Sequence, residues 1–311
     1  MMTTDRTTVR TPSSCPPRTA RRHRSPALAV TAALLLVLTA CTGATGEEPS
    51  PTPEPPSPAP TPTAEPSPEP TATPGPVDTV AYYLVDTRAG LRLARELGEG
   101  TGTDAVVASV QAMVDGADDP DYSTAWDPAT EVLSVGPGAD GTIVVDLSAQ
   151  ARQANIGSQG AALMIQQLVH TVTAAAEDET AGVLLTIDGE PAGELWGTVV
   201  WDEPVTRADP LEVRVLVQID EPREGTVTSS PITVSGEANV FEATVLWSVL
   251  DADGTEVAAD FTTTAEGQTF APFTFSVDLE PGTYTVVISE SDPSDGEAGT
   301  PMSDSRSVTV E

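Results

Sequence analysis

Few side chains in this sequence could do acid–base, nucleophilic or metal chemistry. His170 is the only histidine after residue 40, so a Ser-His-Asp arrangement would have to be built around it. The segment Gly157-Ser158-Gln159-Gly160 does not match the Gly-x-Ser-x-Gly turn of serine hydrolases. We expect His170 to lie on a helix, at its surface or half-buried, and the sequence predicts no catalytic residue.

Carboxylates are abundant, but they do not single out a site. The run Asp251-Ala252-Asp253-Gly254-Thr255 begins like a calcium loop. Its glycine stands at the fourth position rather than the sixth, and Thr262 occupies the twelfth position, where a glutamate is needed. A turn between two strands explains this run better. The sequence therefore predicts neither a metal site nor a cofactor.

Cys41 points to a different chemistry, the attachment of lipid. It closes the tetrapeptide Leu38-Thr39-Ala40-Cys41, which follows a basic stretch and an apolar run over 27–40. These are the parts of a secretory signal, and the tetrapeptide resembles a bacterial lipobox. About 14 apolar residues span roughly 21 Å, short of a hydrocarbon core of about 30 Å, so a permanent transmembrane helix is disfavoured. We predict that residues 1–40 are a signal peptide and that Cys41 is lipidated. Arg21-Arg22 leaves twin-arginine export open beside general secretion.

The composition is strongly acidic. The chain has 14 basic residues, all arginine, and 47 acidic residues, a formal net charge of −33. Six arginines and Asp5 precede Cys41, which leaves 8 basic and 46 acidic residues, a formal charge of −38. Such a surface repels nucleic acids and anionic lipid headgroups, so nucleic-acid binding is excluded. The absence of lysine beside abundant Ala, Gly and Arg favours a GC-rich genome, such as that of a Gram-positive actinobacterium.

A proline-rich spacer follows Cys41. Residues 47–76 hold 13 prolines among Ser, Thr, Ala and Glu, and this composition cannot form a core. In the polyproline II conformation 30 residues reach about 90 Å. We divide the chain into a signal peptide (1–40), a Pro/Ser/Thr-rich spacer (41–76), an α+β domain (77–200) and an all-β domain (208–311).

The α+β domain is predicted from its hydrophobic periodicity. Strands are expected over 80–85, 131–135, 142–147 and 182–189. One helix is expected after Thr103 or Asp104 and ends at Gly116, and a second begins near Ser158. The predicted order is β-α-β-β-α-β, with an apolar stripe on the second helix facing the sheet.

The same region resembles a GerMN domain, a module of sporulation and spore germination proteins. The resemblance covers 82–197 and rests on the order of its parts: a tyrosine-rich first strand, the helix end Met113-Val114-Asp115-Gly116, the predicted hairpin, Gly157-Ser158-Gln159-Gly160 and the final Ile187-Asp188-Gly189. The resemblance implies an envelope protein without implying that the protein acts in sporulation.

The last hundred residues are predicted to be all β. Strands are expected over 211–219, 232–235, 243–250, 259–264, 272–277, 283–289 and 305–310. About seven short strands separated by turns favour an immunoglobulin-like sandwich, with Trp247 in its core and no disulfide. The region resembles the immunoglobulin-like domain of bacterial spore germination proteins (Gmad type), most specifically over Val234-Ser235-Gly236 and Phe241-Glu242-Ala243.

These features predict a non-enzymatic lipoprotein that binds or organises something in the cell envelope. Lipid on Cys41 would hold it at the outer side of the cytoplasmic membrane, and an envelope protein or a cell-wall polymer would be its partner. Two alternatives stay open, a wall-modifying hydrolase and an accessory lipoprotein of a sensor or transporter. Trp196 and Trp201 could stack on a sugar, although packing between the domains is the use we favour.

Overall fold

The structure is a computed structural model that describes residues 73–154, 156–292, 297 and 299–311. The predicted signal peptide, Cys41 and all but the last residues of the predicted spacer lie outside these ranges. Within them, no helix is both long and apolar enough to cross a bilayer. The described chain is an α+β region followed by a β-rich region, which confirms the predicted fold class.

A long antiparallel hairpin opens the first domain. Strand β1 (Gly75–Thr87) pairs along its whole length with β2 (Gly90–Gly102). The strand predicted over 80–85 is confirmed and is longer than expected. Strand β2 was not predicted, because arginine, glutamate and glycine interrupt its apolar pattern. The observed order is therefore β-β-α-β-β-α-β.

The first helix, α1 (Ala105–Asp115), has the ends that the sequence predicts. The carboxylate of Asp104 accepts hydrogen bonds from the backbone N–H groups of Val106 and Val107, at 2.8 and 3.2 Å. At the other end Gly116 adopts a φ of +107°, which a residue with a Cβ would adopt only under strain. The two signals are local, so the sequence alone placed this helix correctly.

The second helix connects two parallel strands of a four-stranded sheet. Strands β3 (Val132–Pro137) and β4 (Ile143–Leu147) form the predicted hairpin, and helix α2 (Ser158–Ala175) leads to β5 (Val183–Ile187). Because β4 and β5 are parallel, a crossover of this kind is required between them. Short strands complete the domain: β6 (Glu190–Pro191) beside β5, and the pair β7 (Gly193–Leu195) and β8 (Val199–Trp201).

One hydrophobic core joins the hairpin, both helices and the four-stranded sheet. It includes Tyr83 from β1, Met113 from α1, Leu147 from β4 and Leu168 from α2, all at most 2% exposed. Trp201, which ends β8, is buried in the same core. Both tryptophans considered for sugar binding are used inside this domain: the indole N–H of Trp196 donates to Ala151 O at 3.1 Å, and that of Trp201 to Val183 O at 3.3 Å. Neither packs between the domains, so that prediction was wrong.

A short helix separates the two domains. The segment predicted as a strand over 211–219 is helical at its start, where α3 (Pro210–Val213) is capped by the Asp209 carboxylate. Proline at the first helical position fits because its missing N–H would have no partner there. The strand begins only at Val217, so the prediction was wrong for the first half of this segment.

The second domain is a sandwich of two sheets. A three-stranded sheet has the order β14-β11-β9 and a five-stranded sheet the order β10-β16-β15-β12-β13. The strands are β9 (Val217–Glu221), β10 (Thr226–Thr228), β11 (Ile232–Ala238), β12 (Thr244–Asp251), β13 (Glu256–Thr263), β14 (Ala271–Val277), β15 (Gly282–Glu290) and β16 (Ser303–Val310). Gly236 on β11 is required by packing, because a Cβ there would overlap the carbonyl oxygen of Gln218.

The core of the sandwich is aliphatic at its centre. Val234, Val245, Val249 and Ile288 are fully buried between the sheets. Trp247, which was predicted to be a core residue, is only partly buried. Its ring stacks on that of Phe275, with centroids 4.6 Å apart, so it closes one side of the core instead of filling its centre.

Candidate binding cleft between the two domains

A buried ion cluster holds the two domains together. Arg306 on β16 is 2% exposed and reaches residues of the first domain. Its guanidinium pairs with the Asp119 carboxylate, and it donates to Tyr122 Oη at 3.1 Å and to Asp304 Oδ1 at 3.0 Å. Tyr122 in turn donates to Asp304 Oδ1 at 2.8 Å. The backbone of Ile219 completes the cluster, donating to Asp304 Oδ2 at 2.6 Å and accepting from Arg306 at 3.0 Å.

Burial dominates the electrostatics of this cluster. It raises the pKa of Asp119 to about 6, although Arg306 acts in the opposite direction. Burial also raises the pKa of Asp304 above its ordinary value. Burial is the largest single effect and lowers the pKa of the Arg306 guanidinium, but Asp304, Tyr122 and Asp119 together outweigh it, so this pKa rises. The cluster is thus costly to desolvate and strongly dependent on all of its members being present.

A second ion pair joins the domains beside the first. Arg95 on β2 donates from Nε and Nη2 to the two carboxylate oxygens of Asp220 on β9, at 3.0 and 2.6 Å. This two-point geometry fixes the angle between the groups as well as their distance. The pair also explains a charged residue in the unpredicted strand β2, because the partner of Arg95 comes from the other domain.

A cleft of about 630 Å³ lies between the same two domains. Its lining includes His170, Glu179, Arg207 and Arg214 from the first domain and the following segment, and Glu237 and Phe270 from the second. A volume of this size is typical of small-molecule sites. None of these residues was predicted as a binding residue, because the cleft exists only once the domains have docked.

His170 is buried, which overturns the expectation of a surface or half-buried residue. It is 2% exposed, and neither ring nitrogen has a hydrogen-bond partner. Burial lowers its pKa to about 3, and Arg207 and Arg214 lower it further, so the imidazole is neutral at pH 7. The expectation failed because β1 covers this part of α2: the N–H of Tyr82 donates to Thr171 Oγ1 at 3.0 Å, and the Tyr82 ring lies 5.0 Å from the imidazole.

The two arginines of the cleft are held in different ways. Arg207 donates to Thr173 Oγ1 at 2.7 Å and to His170 O at 3.3 Å, and it pairs with Glu179 at 2.9 Å. The side chain of Glu179 is 75% exposed, so this pair is weak.

Arg214 is the more deeply buried of the two. It pairs with Glu237 and donates to Gln218 Oε1 at 3.3 Å. Its guanidinium carbon lies 4.2 Å from the centre of the Phe270 ring. Its Nε is buried and has no hydrogen-bond partner.

The described residues do not assemble a catalytic set around His170. A general base needs a partner that orients it, and both nitrogens of this imidazole lack one. Across the described ranges, no group of three or more His, Cys, Asp or Glu side chains could hold a metal ion. The run that begins like a calcium loop is the turn between β12 and β13, where Asp251 Oδ1 accepts from the N–H groups of Asp253 and Thr255, both at 2.9 Å.

The second domain also presents an apolar surface to solvent. Leu246 on β12 and Phe261 on β13 are direct cross-strand partners and are 41% and 59% exposed. Strand β13 is an edge of its sheet. Glu256 and Asp260, both exposed, lie on the same edge strand. The edge strand therefore leaves adjoining apolar side chains and unpaired backbone groups open to another chain.

The fold is a two-domain arrangement, an α+β domain docked on an immunoglobulin-like sandwich. Residues 80–193 match the family model described as sporulation and spore germination, and residues 216–297 match that of the immunoglobulin-like domain of bacterial spore germination. The chain therefore carries a GerMN domain followed by a spore-germination immunoglobulin-like domain, as the resemblance predicted. Neither family is known as a family of enzymes.

Solved structures give weaker similarities. The first GerMN domain of the sporulation protein GerM from Bacillus subtilis is 20% identical, with 43% of this chain and 99% of that chain covered and a TM-score of 0.33. The tandem GerMN domains of the same protein are 15% identical, with 66% and 62% covered and a TM-score of 0.35. CopC from Methylosinus trichosporium OB3b is 18% identical, with 30% and 93% covered and a TM-score of 0.24. No curated protein matches the chain at a significant level.

Proposed function

We propose that this protein is a membrane-tethered lipoprotein of the cell envelope with a non-catalytic binding or scaffolding role. The observation that supports the binding role is the buried cluster of Arg306, Asp304 and Asp119 between the domains. Charges this well buried are stable only with their partners in place, so the two domains keep one orientation. Surfaces that are fixed before binding lose less entropy when a partner docks. The fixed orientation of the two domains thus favours a binding function over a catalytic one.

The tether belongs to the same proposal. Lipid on Cys41 would anchor the chain at the outer side of the cytoplasmic membrane, and the proline-rich spacer would hold the domains up to about 90 Å from it. A formal charge of −38 after residue 40 keeps such a surface away from anionic headgroups and favours partners with a basic surface.

Changing Cys41→Ala is expected to abolish membrane attachment. Without the thiol no lipid can be added, so the protein should be released to the medium or remain as an unprocessed precursor. Fractionation of cells and mass measurement of the product would show this, with Cys15→Ala as the matched control that leaves attachment intact. A Cys41→Ala protein that lost its first 40 residues and still sedimented with membranes would contradict the lipid anchor.

We propose that the partner is an envelope protein that docks on the exposed surface formed by Leu246 and Phe261. The full-length chain, purified in detergent, would be used to capture proteins from solubilised membranes. We expect Phe261→Ser to reduce recovery of the partner at least about fivefold while the melting temperature stays unchanged, because the side chain is 59% exposed. Val200→Ser, at a 63% exposed position of the first domain, is the matched control.

Three results would count against this partner. Equal recovery with Phe261→Ser and with the wild-type chain would remove the proposed surface. Recovery of a wall polymer in place of a protein would replace the proposed partner class. Capture that requires high salt would also contradict the proposal, because a basic partner of an acidic chain should bind more weakly as salt increases.

A further inference from the structure

The outer edge of β13 is open over most of its length. This strand is the last of the five-stranded sheet, and its residues 256, 257 and 259–261 are exposed. Near its end the strand approaches β14, where Thr262 Oγ1 donates to Thr274 O at 3.0 Å. The stretch before Thr262 can therefore pair with a strand from another chain.

The backbone groups that face this edge follow from the pairing with β12. Hydrogen-bonded and non-hydrogen-bonded pairs alternate along an antiparallel ladder. Thr264 N–H donates to Ala243 O at 2.9 Å, so the even-numbered residues over 258–264 are the ones bonded to the neighbouring strand. The N–H and C=O groups of Ala259 and Phe261 thus point away from β12. In agreement with this, the Phe261 N–H donates to Asp260 Oδ1 at 2.9 Å.

The two faces of this edge differ in character. Successive side chains of a strand point to opposite faces. Phe261 lies on the outer face of the sheet beside its exposed partner Leu246, so Asp260 lies on the other face. A strand added here would place every second side chain on an apolar surface and the remaining ones beside a carboxylate.

The charge of the region indicates which segment would fit. Strands β12 and β13 carry Asp251, Glu256 and Asp260 and no basic residue. We propose that a segment with alternating apolar and basic side chains adds to β13 as a further strand. Its backbone hydrogen-bonds to Ala259 and Phe261, and a basic side chain pairs with Asp260 as that carboxylate leaves the Phe261 N–H. This inference rests on the proposed function and names how the envelope protein docks.

A second copy of this chain fits the same edge less well. Pairing of two β13 strands would bring Glu256 and Asp260 of one copy towards those of the other. Like charges opposite each other destabilise a strand pair. Each chain also carries a formal charge of −38 after residue 40. A segment with basic side chains avoids both kinds of repulsion.

A synthetic peptide would test strand addition directly. The probe is a peptide of about eight residues that alternates valine with lysine and is blocked at both ends. Titrated into the full-length chain in detergent, it should bind saturably with a Kd below about 1 mM. At about ten times that Kd the amide of Ala259 should exchange its hydrogen about tenfold more slowly, as measured by nuclear magnetic resonance.

Two control peptides separate backbone pairing from attraction between charges. Methyl groups on the backbone nitrogens keep the charge but remove the donors, and binding should weaken at least about fivefold. Replacement of each lysine by glutamate should abolish binding. Strand addition is refuted by equal binding of the methylated peptide, or by binding that leaves exchange at Ala259 unchanged. Absence of saturable binding, or dimerisation of the chain through β13, would refute the proposed occupant.

Variants of the chain test the position of the site. Ala259→Pro removes an N–H that faces away from the sheet, where an edge strand accepts proline, and binding should weaken at least about fivefold. Asp260→Lys should weaken binding of the lysine peptide and permit that of the glutamate peptide. Glu194→Lys makes the same charge change at an exposed position of the first domain and should leave binding unchanged. If Ala259→Pro does not fold, Asp260→Lys decides, because its side chain is exposed.

The capture of proteins from membranes can fail independently of these tests. If Phe261→Ser reduces recovery of the partner and Ala259→Pro does not, strand addition is wrong while the docking surface stands. If the peptide binds but no envelope protein is captured, the proposed partner is wrong while the open edge stands.

Discussion

Replacement of Arg306 by alanine is expected to lower the free energy of unfolding by about 3–5 kcal/mol. The change removes the only guanidinium of the described cluster and leaves the Asp119 and Asp304 carboxylates buried, with side-chain exposures of 2% and 5%. Both domains contribute to the cluster, so the loss should appear as separation of the domains followed by unfolding. Urea denaturation at about pH 7.5 would measure it.

Acid should partly restore the Arg306→Ala protein. Burial raises the pKa of Asp119 to about 6 and also raises that of Asp304, so both carboxyls take up protons before ordinary carboxyls do. Protonation removes the stranded charges, and the deficit against the wild-type chain should be smaller at about pH 5 than at about pH 7.5. Arg223→Ala, which removes an exposed pair, should cost less than about 1 kcal/mol at either pH. A loss this small for Arg306→Ala would show that the cluster does not hold the domains.

Replacement of His170 by leucine is expected to remove an acid-sensitive part of the stability. The folded-state pKa of about 3 lies below the unfolded value of about 6.5, so the unfolded chain binds the proton first. The stability contributed by neutral His170 is complete above about pH 6.5 and is lost as the pH falls towards 3. At pH 5 the loss amounts to about 2 kcal/mol.

The difference between the two proteins isolates this effect from other groups. Asp119 acts in the opposite sense, because its raised pKa makes the folded state bind the proton first between about pH 6 and 4. That contribution is common to both proteins and cancels. We expect the stability of His170→Leu relative to wild type to increase by up to about 1.4 kcal/mol for each pH unit below 6.5. A difference that stays constant from pH 8 to pH 4.5 would show that the imidazole is not buried as described.

The sequence predicted correctly those elements whose ends are set by side chains within a few residues of the end itself. Asp104 and Gly116 mark the ends of α1 because each acts on backbone groups of its own helix. Strand β2 has no comparable signal: its charged residues are accounted for by partners such as Asp220, 125 positions away from Arg95. The sequence pattern alone therefore predicts a polar, irregular segment in place of this strand.

The cleft could not be predicted for the same reason. Its lining combines α2, the segment around α3 and two parts of the sandwich. Arg306 and Asp119 are separated by 187 residues, and nothing near either residue indicates its partner. His170 was identified as the one histidine worth testing, but its burial depends on β1, which packs on α2. The sequence identified residues that could be reactive or charged in a site, but it did not predict their burial or their partners.

The position of Arg306 also sets an order of events during folding. It lies on β16, which pairs with β15 on one side and with β10 on the other, while Asp119 and Tyr122 belong to the domain made first. Domains generally fold as units in the order of synthesis. The GerMN domain thus emerges with Asp119 and Tyr122 unpaired with Arg306, because roughly one hundred residues separate the end of β8 at Trp201 from Arg306. Docking of the two domains is therefore a late step, and a chain interrupted before β16 would leave a folded first domain without its counterpart.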